Sequence, residues 1–239
     1  MRFLYIFPHP DDESFGPAAV MVQQLKAGHE VHLLTLTKGG ATKERFRLGL
    51  SVEEMGEIRY QEMLEVEKVL QLSSMTVMDL PDSGLAHIDP REIEKTICAY
   101  IQQLQPNIIV SYPVHGISGF HDHLVTHAII KRVYLEMRDQ GASYLKRLAF
   151  FTVKDNGEPT FQNGKIRLRT SHPDLIDCEI KLGEKDWEIF NKALACYGTY
   201  QQTIEDSGFK QKMGNIAYFE IFQEDFSPPL DDLSLQIPS

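Results

Sequence analysis

Apolar residues in this chain fall into two kinds of segment. Some are short unbroken runs: Phe3–Phe7, Val31–Thr37, Thr76–Leu80, Asn107–Tyr112, Leu148–Val153 and Ile216–Phe222. Their length and β-branched or aromatic content predict buried strands. Between them lie stretches in which apolar residues recur every three or four positions, as on one face of a helix. Residues 14–28 read this way, ending at Gly28, a favoured residue just past a helix end. Glu53–Leu70 carries the stripe Ile58, Met63, Val66, Val69 and Leu70. Pro90–Gln105 carries Ile93, Ile97, Ile101 and Leu104, with Asp89 as N-cap and proline at the first helical position. A further helix is predicted to start near Asp122, and another over Gly183–Tyr200. Strands alternating with helices specify βαβ units with parallel, right-handed connections. The expected fold is therefore α/β, a mostly parallel sheet with helices on both faces. A smaller C-terminal β/α region is expected to follow, with turns at Asp155-Asn156-Gly157 and Asn163-Gly164 and an irregular tail from Ser227. No repeat, linker or low-complexity block interrupts the pattern, so residues 1–239 are read as one domain.

Composition narrows the function classes. The chain has 239 residues, 42% hydrophobic and 24% charged, with a formal charge of −10, as expected of a soluble globular protein. The acidic balance argues against a nucleic-acid binder and against adhesion to anionic membranes. Cys98, Cys178 and Cys196 are far apart and form no CxxC pair, so neither a disulfide framework nor a thiolate zinc site is indicated. No signal peptide and no run of about 20 apolar residues is evident. The expected setting is the reducing cytoplasm.

The chemistry is concentrated in two places, each where a predicted strand hands over to a helix. The first is Phe7-Pro8-His9-Pro10-Asp11-Asp12-Glu13. Proline on both sides of His9 stiffens the turn. A His and an Asp three apart can reach one divalent cation, zinc or iron(II) being suited to imidazole plus carboxylate. The other Asp would then be left beside it as a base. The plainer alternative is a helix cap, with Asp11 or Asp12 at the N-cap and Glu13 favoured by the helix dipole. The second place is His115 to His127, with four histidines and Asp122 in thirteen residues. Both follow strands of the same sheet, so both belong at its carboxyl edge, where ligands bind in open α/β folds. Three further features accompany them. Lys38–Gly49 is a basic, glycine-bearing loop that suits a lid or a substrate contact. Arg59 is either an intrahelical partner of Glu62 or a substrate ligand. Asp82 falls in the Pro81-Asp82-Ser83-Gly84 turn at another strand end.

Pro8-His9-Pro10-Asp11-Asp12-Glu13 together with Gly119-Phe120-His121-Asp122-His123 resembles the PIG-L/LmbE-like N-acetylglucosaminide deacetylases, the family that includes the bacillithiol- and mycothiol-type enzymes. The likeness extends loosely over residues 1 to about 155. It implies a Rossmann-like fold with one catalytic zinc, held here by His9, Asp12 and His123, with Asp11 as general base. The chain departs from the family at Phe120, where members often carry a His that stabilises the oxyanion. His121 is the neighbouring candidate for that role, with Asp122 orienting an adjacent group. Arg59 and Asp82 are the candidates for binding substrate.

The resemblance implies hydrolysis of an N-acetyl group from a small amino-sugar substrate, with Zn2+ or another divalent ion such as Fe2+. Homo-oligomerisation is compatible with it; nucleic-acid and membrane partners are not expected. Two alternatives stand beside it: hydrolysis of another amide or ester by the same groups, and a non-catalytic sugar- or nucleotide-binding module. The absence of GxGxxG after the first strand speaks against the last.

Overall fold

The fold is given by a computed structural model, which describes residues 1–157, 161–162, 166–207 and 214–237. A seven-stranded sheet forms its centre. The strands are β1 (Arg2–Phe7), β2 (Glu30–Thr37), β3 (Ser74–Leu80), β4 (Ile108–Ser111), β5 (Arg147–Thr152), β8 (Cys178–Lys181) and β9 (Ile216–Ile221). Their order is β3-β2-β1-β4-β5-β9-β8. The first five are parallel, and β9 runs antiparallel to both β5 and β8. A short hairpin, β6 (Phe161–Gln162) with β7 (Ile166–Arg167), stands apart from it.

The central strand shows why the sequence chooses this architecture. Phe3 to Phe7 are all fully buried, as required when both faces of a parallel strand are covered. Alternate residues go to opposite layers. Phe3, Tyr5 and Phe7 pack with α1 (Ala18–Lys26), α3 (Val52–Leu70) and α6 (Glu184–Cys196). Leu4 and Ile6 pack with α4 (Pro90–Leu104) and α5 (His121–Asp139). The ends of these helices follow local chemistry. Ser51 and Glu54 form a capping box on α3, and Asp89 caps α4 with Pro90 at its first position. A short α2 (Glu44–Leu48) lies in the glycine-bearing loop.

The first helix begins four residues later than its periodicity suggests. Ser14 and Phe15 donate backbone bonds to the Asp11 carbonyl, and Ala18 donates to that of Glu13. These turns let Glu13 and Ser14 point inward, both fully buried. Strand β8 was not evident in the sequence, because it is only four residues long and mixes Glu179 and Lys181 with Cys178 and Ile180. The helix expected over Gly183–Tyr200 stops at Cys196, and Gly198–Tyr200 forms a 3-10 turn before α7 (Gln201–Ser207). The turn expected at Asn163-Gly164 lies outside the described residues. The tail is irregular yet anchored, since the buried Arg147 guanidinium donates to the Leu235 carbonyl at 2.9 Å. No described helix is long and apolar enough to cross a membrane.

One topological fact positions the site. Strands β1 and β4 are neighbours, but the chain leaves β1 toward β2 and leaves β4 toward β5, on opposite sides. Connections that diverge in this way open a crevice at the carboxyl ends of the two strands. The His9 turn leaves β1 there, and the His115–His127 segment leaves β4.

Candidate metal centre and active site

The β1 turn is tied down before it presents any side chain. Thr37 at the end of β2 donates to the Pro8 carbonyl from its backbone N–H at 3.0 Å and from its hydroxyl at 2.9 Å. Within the turn, the His9 N–H donates to Asp12 Oδ2 at 2.9 Å. Asp11 has φ +82°, the left-handed region that is costly for a residue with a Cβ. On the β4 side, Gly116, Ile117 and Gly119 have φ of +61°, +54° and +72°. A β-branched residue there is an outlier. The strained loop aims the Gly116 carbonyl at His123 Nδ1, which donates to it at 2.9 Å. A Cβ on Gly116 would stand 2.7 Å from that of His123, so only glycine allows the approach.

The two segments bring three ligand-type side chains face to face. His9 Nδ1 lies 3.3 Å from His123 Nε2 and 3.6 Å from Asp12 Oδ2, and His123 Nε2 lies 3.4 Å from Asp12 Oδ1. Bonds of about 2.0–2.1 Å to a tetrahedral ion put ligand atoms about 3.4 Å apart, so this triangle has the dimensions of one face of such a site. The protons agree. With the Nδ1 proton on Gly116, His123 turns a lone pair inward from Nε2. His9 Nε2 lies 3.2 Å from Asp122 Oδ2 and 3.3 Å from Asp82 Oδ1. In the neutral ring its proton goes to that pair of carboxylates, and Nδ1 also turns a lone pair inward. Two imidazole lone pairs and a carboxylate facing one another repel unless a cation lies between them. An outer N–H held by a carboxylate or a carbonyl is the usual arrangement of metal-binding imidazoles. The residues therefore fit a divalent ion.

Around the triangle each member is held. Tyr112, at the end of β4, donates its hydroxyl to Asp12 Oδ1 at 2.7 Å and stacks on the His123 ring, centroids 4.3 Å apart. Asp122 is buried and accepts the backbone N–H groups of Ser83 at 2.8 Å and Leu85 at 3.2 Å. Asp82 accepts the Ala41 N–H at 2.7 Å, which ties the basic loop to the site. Arg59 is 2% exposed and donates to Asp11 Oδ2 at 2.6 Å and to the Pro10 carbonyl at 2.8 Å. Tyr200 lies over its guanidinium, 4.1 Å from ring centroid to Cζ.

Burial sets the protonation balance. It pushes the Asp11 carboxyl up to about 7 against the opposing pull of Arg59, with the Asp12 charge adding to the rise. Burial pushes His123 down. Burial works against the His9 cation too, but the bond to Asp122 and the charges of Asp12 and Asp82 outweigh it and leave His9 raised. Behind the turn, the buried Glu13 accepts from Ser14 at 2.6 Å and from Tyr197 at 2.7 Å. Burial raises its carboxyl.

The structure brings His9, Asp12, His123, Asp11, Asp82 and Asp122 together, and it changes the parts played by several expected residues. His121 is exposed at the first position of α5 and joins no hydrogen bond or ion pair of the cluster among the described residues. The helix has already begun, so His121 diverges by about 100° from Asp122, which faces the site. Arg59 is not open to substrate, nor is it paired with Glu62, whose carboxylate instead accepts from Thr199 at 2.6 and 2.9 Å. Asp82, with its side chain 8% exposed, belongs to the bonded shell around His9 rather than to a substrate surface. Of the other histidines, His115 Nε2 pairs with Ser171 at 3.1 Å and His127 Nδ1 donates to the Tyr112 carbonyl at 2.9 Å. Sequence reasoning passed over Tyr112 and Tyr200. Tyr112 could have been found as the last residue of a strand that ends at the same sheet edge.

Residues 4–134, more than half of the chain, match the PIG-L family, described as GlcNAc-PI de-N-acetylase. The chain belongs to that family. It is 27% identical over 166 residues to the 1D-myo-inositol 2-acetamido-2-deoxy-alpha-D-glucopyranoside deacetylase of Kineococcus radiotolerans, covering 58% of this chain and 46% of that protein. It is also 27% identical over 210 residues to the mycothiol S-conjugate amidase of Streptomyces coelicolor, covering 78% and 70%. The chain thus spans about half the length of the first of these relatives. Among solved structures, the fold is shared with a deacetylase from the teicoplanin biosynthesis pathway. The TM-score is 0.70 at 15% identity, over 92% of this chain and 97% of that one.

Proposed function

We propose that this protein is a metal-dependent N-deacetylase that releases acetate from an N-acetylglucosamine-type amino sugar or glycoside. The observation that carries the reading is the triangle of His9 Nδ1, Asp12 and His123 Nε2 at 3.3–3.6 Å, with both outer imidazole N–H groups bonded away. These three residues would hold the ion, zinc or another divalent metal such as iron(II). When bound, such an ion polarises an amide carbonyl and lowers the pKa of a water in its open position toward about 7.

The protein's own groups do the rest. Asp11 follows the turn that carries His9, and Arg59 engages its Oδ2, leaving Oδ1 to accept a proton from the attacking water. A carboxyl held near neutral pH is matched to taking a proton and returning it. As the new C–O bond forms and the amide C–N bond breaks, that proton goes to the departing amine. Acetate and a free amino sugar result. Asp122 and Asp82 keep His9 in the tautomer that presents Nδ1, and Tyr112 fixes Asp12. With phenylalanine at 120 and His121 facing solvent, neither of these positions offers an imidazole to the oxyanion. The family to which the chain belongs and the name of the Kineococcus relative support the sugar substrate.

A second reading, hydrolysis of a different amide by the same groups, is favoured by the likeness to a protein named as an amidase. Metal-loaded protein assayed on a panel of N-acetylglucosaminides and unrelated N-acyl amines separates the two. Acetate and primary amine released in equal amounts from the sugars alone supports the deacetylase. Turnover confined to non-sugar amides contradicts it.

A further inference from the structure

Phe120 occupies a position where two physical preferences are both denied. It is the N-cap of α5, with φ −60° and ψ 139°, and it offers no side-chain bond to the orphaned N–H groups of the first turn. Ser, Thr, Asp or Asn there would supply one. The residue is 52% exposed, so it gains little from burial in the core. A residue that neither caps the helix nor fills the core contributes little to the fold. Its placement is nonetheless fixed. The Phe120 N–H donates to Ser118 Oγ at 3.3 Å, and its carbonyl accepts from His123 and Leu124 at 3.0 and 3.2 Å. The ring stands perpendicular to that of His123, centroids 5.6 Å apart, while Tyr112 stacks on His123 in parallel. Phe120 is therefore an open aromatic surface beside a candidate metal ligand.

We propose that Phe120 is the specificity-determining platform of this site, against which the pyranose ring of the substrate stacks; the inference rests on the deacetylase reading above. The scissile amide must lie at the His9–Asp12–His123 triangle, and in an N-acetyl amino sugar the pyranose begins at the carbon bearing the amide nitrogen. A surface that touches His123 is within reach of that ring. One face of a glucosamine pyranose presents axial C–H groups, which match an apolar, electron-rich phenyl face. An imidazolium could polarise the carbonyl from this position. A phenyl ring cannot, but it orients the sugar and shields the reacting amide from water. In this chain, position 120 contributes to binding the sugar rather than to the chemical step.

The experiment compares wild type with Phe120→Ser, Phe120→Leu and Phe120→Trp, each loaded with one equivalent of zinc. Steady-state kinetics on an N-acetylglucosaminide, thermal unfolding and bound zinc are measured for each. Phe120→Ser is expected to unfold at a temperature equal to or above wild type, because it restores a cap. It should retain zinc and raise KM about tenfold with kcat little changed, the scale of one lost aromatic contact with its buried area. Phe120→Leu should resemble Phe120→Ser in KM, and Phe120→Trp should keep the wild-type value. Wild-type KM in Phe120→Ser, or a loss confined to kcat or to zinc, would overturn the proposal. If wild type itself releases no acetate from any N-acetylglucosaminide, the reading of the function has failed instead, and the platform falls with it.

Discussion

His9 Nδ1 and His123 Nε2 face each other across 3.3 Å, although the residues lie 114 apart in the chain. Each imidazole gives its outer N–H to a fixed acceptor: Gly116 for His123, Asp122 and Asp82 for His9. The two inward nitrogens and the Asp12 carboxylate are therefore left facing one another, the arrangement a cation would complete.

Asp11→Asn should retain the metal and lose turnover. Asn is nearly isosteric but cannot accept the proton, and a general base contributes about 10²–10⁴-fold. The check is kcat at verified metal content. A variant within a few-fold of wild type would remove Asp11 from the role.

Arg59→Met should destabilise the protein by about 1–3 kcal/mol, since it leaves the Pro10 carbonyl and the Asp11 carboxyl without their buried donor. Asp11, 14% exposed at its side chain, has no other guanidinium beside it among the described ion pairs. Urea unfolding of the metal-free protein measures the effect. The Asp11 carboxyl should then titrate at a higher pH than in wild type, because the opposing pull of Arg59 is gone.

Gly116→Ala tests the close approach of the β4 loop. Its φ of +61° and the 2.7 Å gap to the His123 Cβ leave no room for a methyl group. The expected result is a metal affinity at least about tenfold weaker, on the scale of lost outer-shell support, read by competition with a chromogenic chelator.

The fold was legible because its strands are continuous apolar runs and its helices carry clean stripes, as in β1 and α4. Both chemical segments fell at the right sheet edge for the same reason. What stayed hidden depends on orientation rather than on residue type. His121 and His123 are equally good ligands on paper, but the helix start at His121 turns one to solvent and the other inward. Arg59 reads as a substrate clamp until Pro10, Asp11 and Tyr200 are seen to enclose it. Strand β8 escaped because four residues that alternate with Glu and Lys carry too little pattern.

Stability should also respond to His115. Burial, with Arg169 nearby, pushes its imidazole down to about 4 in the folded protein, against about 6.5 in an unfolded chain. The unfolded state therefore binds the extra proton over that interval, and folding weakens as pH falls from about 6.5 toward 4. Above 6.5 the contribution is fully present. Denaturant unfolding of metal-free protein at several pH values, beside His115→Gln, should show a shallower acid loss in the variant. Equal slopes would contradict the assignment.

The most direct test is a calorimetric titration of zinc into metal-stripped protein, run beside His9→Ala and His123→Ala. One ion per chain is predicted for wild type, with protons released on binding, because the surrounding carboxylates favour the His9 cation in the metal-free protein. Neither variant should bind at wild-type affinity, while circular dichroism shows the fold retained. Wild-type protein that takes up no zinc, or a His123→Ala variant that binds it unchanged, would contradict the account.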